Sequence, residues 1–176
     1  MALHVALLEP VTPPAVGALA RQCAEADASL HLVGPLPFEP DDDRLRKSGP
    51  KDWSELDWWV HPGWRDFRDA MSRERCLYFA LDGERDAAEA PYRPNSVLVL
   101  GDEAGALPDR IREKYPQRLC KLPVRPRKRQ VDMARWVELL LDLAAERVEA
   151  AAAPGTGDAA AEPAKPMRYG RGRGRR

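Results

Sequence analysis

Short apolar runs without polar alternation recur along this chain, and a strand of that kind is stable only where both of its faces are covered. Residues 3–8 form the first run and end at Glu9-Pro10; residues 30–33 form the second and stop at Gly34-Pro35. Further strands are expected at residues 56–60, 76–81, 96–100 and 119–124. Helical patterns lie between them. Pro13-Pro14 open a helix whose Leu19, Cys23 and Ala26 share a face, and proline is tolerated in a first turn because its missing N–H would be unpaired there. Residues 64–71 put Trp64, Phe67 and Met71 on one side. Residues 108–115 form a short helix, and residues 131–153 a long one with Trp136, Leu140, Leu143 and Val148 near helical spacing. Strands alternating with helices at these lengths predict an α/β fold, a mostly parallel sheet covered by helices. Residues 96–100 run directly into Gly101-Asp102-Glu103-Ala104-Gly105-Ala106-Leu107-Pro108, and a loop of small residues after a buried strand is where open α/β sheets take ligands.

The chain has 176 residues, enough for one domain and a tail. Residues 1–153 form the expected domain. From residue 154 the sequence turns to Ala, Pro, Gly and charge, which cannot bury enough apolar surface to offset its ordering entropy, so residues 154–176 are expected to be a disordered basic tail. Its end, Arg168-Tyr169-Gly170-Arg171-Gly172-Arg173-Gly174-Arg175-Arg176, suits a nucleic-acid backbone with Tyr169 free to stack; a solubilising tail without a specific partner is the plainer alternative. The formal net charge of zero therefore hides a segregation. A second basic cluster, Lys121, Arg125, Arg127, Lys128, Arg129 and Arg135, lies in an otherwise acidic domain, and local clusters decide whether a polyanion can dock.

No apolar run approaches the roughly 20 residues that span a bilayer, and the first run is cut short by Glu9-Pro10 with no basic segment before it. A cytoplasmic protein without membrane contact is expected. Cys23, Cys76 and Cys120 stand apart and are read as reduced, apolar side chains; no His or second Cys supplies metal-ligand spacing, so no metal is expected. His4, His31 and His61 are scattered, and the first two, inside strand-like runs, are read as packed or hydrogen-bonded.

Several short pieces carry a more specific signal. Leu8-Glu9-Pro10, Pro13-Pro14 with Gly17 to Arg21, then Phe38, Asp41-Asp42, Arg44-Leu45 and Gly49, then Gly101, Glu103 and Leu107-Pro108, then Leu122-Pro123, stand in a fixed order. From about residue 3 to residue 149 the chain resembles the small SPOUT methyltransferases that modify the wobble-position ribose of tRNA. The resemblance implies a C-terminal trefoil knot, an exception to the rule that connections avoid knots. It implies S-adenosylmethionine held bent among three loops, residues 79–83, 101–107 and 122–130, largely by backbone groups; Phe79, Gly83, Gly101, Glu103, Leu107, Leu122 and Gln130 fall in them. It further implies Arg21 as the catalytic arginine, with Arg44, Arg46, Arg125, Arg127 and Arg129 near RNA phosphates. The partners would be RNA, tRNA foremost, and a second copy of the chain. The helix from Pro13 and the last helix would form that homodimer, on an apolar face of Trp136, Leu140 and Leu143.

The chain also departs from the pattern. Ala15 and Ala18 stand where the family has asparagines, Asp82 where it has a lysine, and Gly105-Ala106 where it has Arg-Gly. Residues 130–135 replace a Ser-x-Asn-x-Ser-Asn motif, and Asp142 replaces a tyrosine. These are losses of polar groups at a site that works through them, and one missing preorganised donor costs roughly 100- to 1,000-fold in rate in other enzymes. Three readings remain open here: an active tRNA or rRNA 2'-O-methyltransferase, a degenerate homologue that serves as an RNA- or ribosome-binding dimer, and an unrelated doubly wound protein with a ligand at the Gly101 loop.

Overall fold

Every strand pairing in the computed structural model, which describes residues 3–102, 105–122 and 133–152, is parallel. The elements follow as β1 (His4–Leu8), α1 (Pro13–Glu25), β2 (Ser29–Val33), α2 (Asp43–Ser48), β3 (Trp58–His61), α3 (Trp64–Ala70), β4 (Cys76–Ala80), β5 (Arg85–Asp86), β6 (Val97–Leu100), α4 (Asp109–Arg112), β7 (Leu119–Lys121) and α5 (Met133–Ala152). The seven strands lie in the order β3-β2-β1-β6-β4-β7-β5. The expected α/β sheet is therefore observed. The expected trefoil knot involves residues 123–132, which lie outside the described residues, as does the expected tail, residues 154–176.

Register explains the unbroken apolar runs. Val5 pairs with Leu30 and Leu98, and Leu7 with Leu32 and Leu100, while Leu77 and Phe79 of β4 pair with Leu98 and Leu100. These side chains form one core under α1 and α5. The alternate residues Ala6, Leu8, Val33, Tyr78, Val97 and Val99 form a second core with Phe67 of α3 and Ile111 beside Leu107. A residue of either parity is thus inside, and polar alternation has no place.

The element boundaries shift where pairing, not composition, sets them. The strand expected at residues 56–60 is Trp58–His61, because Leu30 N–H bonds the Asp57 carbonyl at 2.9 Å and pairing starts there. The helix expected at residues 108–115 is limited to Asp109–Arg112, with Pro108 as its cap and a 3-10 turn from Pro116 closing the segment. The two-residue β5 was not anticipated; it pairs through Arg85 opposite Cys120 at the sheet edge.

The apolar face of α5 is a clearer correction. Trp136 is 3% exposed and Leu140 fully buried within one chain, packed in the core with Leu19 and Cys23 of α1. Trp136 and Leu140 are thus spent on folding of the single chain. Leu139 and Leu143 are the half-buried leucines left on the helix.

The three histidines, dispersed in sequence, become one chain across three adjacent strands. His4 Nδ1 lies 3.1 Å from His31 Nε2, and His31 Nδ1 lies 3.0 Å from His61 Nε2. Trp59 stacks on His31 at 4.8 Å, and Phe67 presents its ring edge to both His31 and His61. Burial lowers the pKa of all three, with Arg75 adding to the effect at His4 and the neighbouring imidazoles adding to it at His31; Asp57 at His4 and Asp66 at His61 oppose it. The expectation of packed, hydrogen-bonded histidines holds for His4 and His31.

Two outcomes follow from this packing. Trp136→Ala should destabilise the protein by about 3–5 kcal/mol in urea unfolding, the usual cost of emptying a buried Trp site. For the histidines the folded pKa values lie below the unfolded value of about 6.5, so the unfolded chain binds protons that the folded one refuses. Stability should be level above that pH and fall as pH drops below it, and His31→Gln should flatten the fall. Equal urea midpoints at pH 7.5 and 5 would contradict this.

Candidate active site

Parallel strands all deliver their carboxyl ends to the same edge of the sheet, and β6, β4 and β7 are neighbours, so their ends lie side by side there. Backbone bonds tie the described parts together. Leu81 N–H reaches the Gly105 carbonyl at 3.4 Å, and Leu122 N–H reaches the Ala80 carbonyl at 3.0 Å. The loop after β6 is a closed turn: Asp102 N–H bonds the Ala106 carbonyl at 3.2 Å, Gly105 N–H bonds the Asp102 carbonyl at 2.9 Å, and Asp102 Oδ1 accepts from Ala106 N–H at 3.1 Å. A side chain at Gly101 would overlap the Ala106 carbonyl, so the turn requires glycine there.

Within this constellation the residues expected to hold a cofactor take different parts. Phe79 is fully buried in the core beside Tyr92, which leaves only its backbone for a ligand. Leu107 and Leu122 are buried anchors, one in each core, that pin the second and third loops to the sheet. Gly83 closes the turn after β4, its N–H bonding the Ala80 carbonyl at 3.3 Å. Gly101 shapes the central turn. Glu103 and Gln130 lie outside the described residues.

Charge at this edge is arranged by α4. Arg110 pairs with Glu9, just past β1, and Arg112 pairs with Asp82, just past β4. Asp82 stands where a lysine is expected, and Arg112 supplies the cation from another element. The pair carries no net charge where a cation is expected.

Arg21 sits elsewhere in the protomer. Helix α1 leaves the carboxyl edge after β1 and returns to the amino edge to begin β2, so Arg21, eight residues past Pro13, lies roughly 12 Å along it. Its guanidinium donates to the Ser48 carbonyl at 2.6 Å, on the C-terminal end of α2. Gly17, one turn earlier, allows this approach: a Cβ there would stand 2.6 Å from the Leu45 carbonyl. Arg21 is thus exposed and braced against α2.

The expected RNA-facing arginines divide as well. Arg44 is held by Asp42, with Nε at 3.1 Å from Oδ1 and Nη2 at 2.7 Å from Oδ2, while the Asp42 carboxylate caps α2 by accepting from Arg44 N–H at 2.8 Å. These bonds hold the Asp42 carboxyl down to about 2. Arg46 is exposed and forms no ion pair among the described residues, leaving it with its neighbour Lys47 as the available cations of α2. Arg125, Arg127 and Arg129 lie outside the described residues. The sequence reading missed the Asp42 clasp although the two residues stand two apart, the spacing at which an Asx cap forms.

Comparison with known proteins extends the geometry. The chain matches the model of the SpoU rRNA Methylase family over residues 2–133. A tRNA (cytidine(34)-2'-O)-methyltransferase of Methylovorus glucosotrophus (strain SIP3-4) is 28% identical over 138 residues, covering 78% of this chain and 90% of that protein. One from Acidovorax sp. (strain JS42) is 33% identical over 138 residues, covering 76% and 85%. A solved protein from work on the 2-OH methylation of C/U34 on tRNA superposes with a TM-score of 0.72 at 28% identity, covering 83% of this chain and 90% of that one. An AdoMet-bound rRNA methyltransferase of Sinorhizobium meliloti, 20% identical and covering 82% of this chain and 56% of that one, shares the fold at a TM-score of 0.68. A family model that runs from the first strand to the start of the last helix establishes that this chain belongs to the SpoU rRNA Methylase family.

Proposed function

We propose that this protein is an RNA 2'-O-methyltransferase acting on the wobble ribose of tRNA in the cytoplasm. One observation carries the reading: relatives named for that reaction align with the chain over 138 residues and at least 85% of their own length. S-adenosylmethionine is the methyl donor in this reading. The loops fit it through main-chain groups, since the Gly101 turn is held by backbone bonds and the side chains of Phe79, Leu107 and Leu122 are spent on packing. Bound there, it would supply an electrophilic methyl on sulfur.

The chain's own work is then to aim the ribose hydroxyl, draw off its proton and hold the adjoining phosphate. Arg21 acts in trans, its guanidinium holding the phosphate and stabilising the oxygen as the hydroxyl proton leaves to solvent. Its contact within its own protomer is with α2, and the reading takes it to act in a homodimer in which α1 of one protomer faces the loop edge of the other. Val11, Pro14, Ala15 and Ala18 leave an exposed or half-buried apolar strip on and before α1, and Leu139 and Leu143 continue it on α5. Arg46 and Lys47, with Arg125, Arg127 and Arg129, supply counter-charge for the RNA. The knot would close around the third loop. A binding protein without turnover is the second reading, favoured by Ala134 and Asp82 at places where polar donors are expected.

The test is methyl incorporation into tRNA from labelled S-adenosylmethionine. Incorporation at position 34 should occur and should drop on the order of 100-fold or more in Arg21→Ala, with cofactor binding retained. Cofactor binding without incorporation by the unaltered protein would favour the binding reading. Sedimentation should give a dimer at micromolar concentration, and Leu143→Arg should shift it to monomer; an unaltered protein that sediments as a monomer would remove the trans role of Arg21.

A further inference from the structure

The amino edge of the sheet, opposite the three loops, holds a cavity of about 450 Å3 that the reaction does not use. Cys76 opens β4, Arg118 directly precedes β7 and Arg93 precedes β6, so the cavity lies at the starts of the strands whose ends form the candidate active site. The five residues of β4 separate the two by roughly 17 Å, at about 3.3 Å per residue.

Its rim is cationic and its floor uncharged. Arg85, Arg93 and Arg118 line it against a single carboxylate, Glu74. All three arginines are exposed, and none forms an ion pair among the described residues. Arg118 is oriented by donating from Nη1 to the Arg73 carbonyl at 2.7 Å. Burial pushes the Cys76 thiol up to about 12 and raises Cys120 as well, against the opposing pull of Arg118 on the first and Arg85 on the second. Both thiols therefore stay neutral and add no negative charge, so Arg85, Arg93 and Arg118 face only Glu74 among the lining residues. Leu77 and Pro91 add apolar wall.

Guanidinium forks without carboxylate partners, converging on a concavity with apolar walls, are the chemistry that recognises a phosphate attached to an organic group. The volume falls in the range of small-ligand sites. We propose that this cavity is a second anion site, binding the phosphate of a nucleotide unit. That unit is either part of the RNA substrate or a free nucleotide; the RNA case rests on the tRNA reading above and would give the substrate a hold at the opposite end of the sheet from its reacting ribose.

The experiment compares the full-length protein with an R85Q/R93Q/R118Q variant in two titrations, one with cytidine 5'-monophosphate by calorimetry and one with tRNA at a series of salt concentrations. If RNA is the source, the dependence of log affinity on log salt should become shallower by about 0.7–0.9 for each phosphate that the variant no longer neutralises, and KM for tRNA should rise while kcat and S-adenosylmethionine binding hold. If a free nucleotide is the source, cytidine monophosphate should bind the unaltered protein and bind the variant about tenfold or more weakly, with the RNA slope unchanged. Unchanged binding in both titrations overturns the proposal. Single R85Q and R93Q variants, which remove no ion pair among the described residues, give the same reading if the triple variant folds poorly. The nucleotide titration needs no methyl transfer, so an unaltered protein that fails to methylate tRNA counts against the proposed function and leaves the cavity test standing.

Discussion

Parallel pairing of a sheet buried on both faces is the constraint on which the rest of this structure depends. Parallel strands cannot be joined by tight turns, so each must be reached by a crossover, and every crossover starts at one edge of the sheet and ends at the other. All loops leaving strands therefore gather at one edge and all loops entering strands at the other. The Gly101 turn, the turn at Gly83 and Leu122 come together because β6, β4 and β7 are neighbours. The same rule collects Arg93, Arg118 and Cys76 at the far edge. Two sites of different chemistry arise from one topological fact.

Rigidity at the loop edge comes from main-chain bonds and buried leucines. Leu107 and Leu122 fill opposite cores, so the segments bearing them cannot shift without opening apolar surface to water. This arrangement tolerates exchange of the polar side chains. Asp82 in place of a lysine reverses a charge, and Arg112 from α4 answers it. Exposed ion pairs of this kind contribute little to stability, so their effect is on the local field. Arg44 is a case in the other direction: Asp42 binds its guanidinium and caps α2 at once, which withdraws one cation from a surface where RNA contact is expected.

Polar groups inside the second core are treated by the same economy. A lone imidazole between strands would lose its hydrogen bonds to water, and the line of His4, His31 and His61 lets each ring bond the next instead. Trp59 and Phe67 then seal the line from solvent. The arrangement ties β1, β2 and β3 together through side chains as well as through the ladder.

By itself the sequence determined the fold class, the order of the longer strands and helices but not α2 or β5, the small-residue loop after β6 and the family. These follow from local quantities: unbroken apolar runs, helical spacing, proline and glycine as stops, and short motifs in order. It misjudged or missed what depends on which residues become neighbours. Trp136 and Leu140 look like a free helix face until α1 is laid against them. His4, His31 and His61 are scattered until register places them on one sheet face, and Arg85, Arg93 and Arg118 are unrelated until parallel strands bring their starting ends together. Arg21 reads as an active-site residue in a motif, yet the direction of α1 carries it toward the opposite edge of its own protomer. Only tertiary structure decides such matters, because strand order and helix docking are long-range choices made by burial of the whole apolar surface, and no window of the chain contains them.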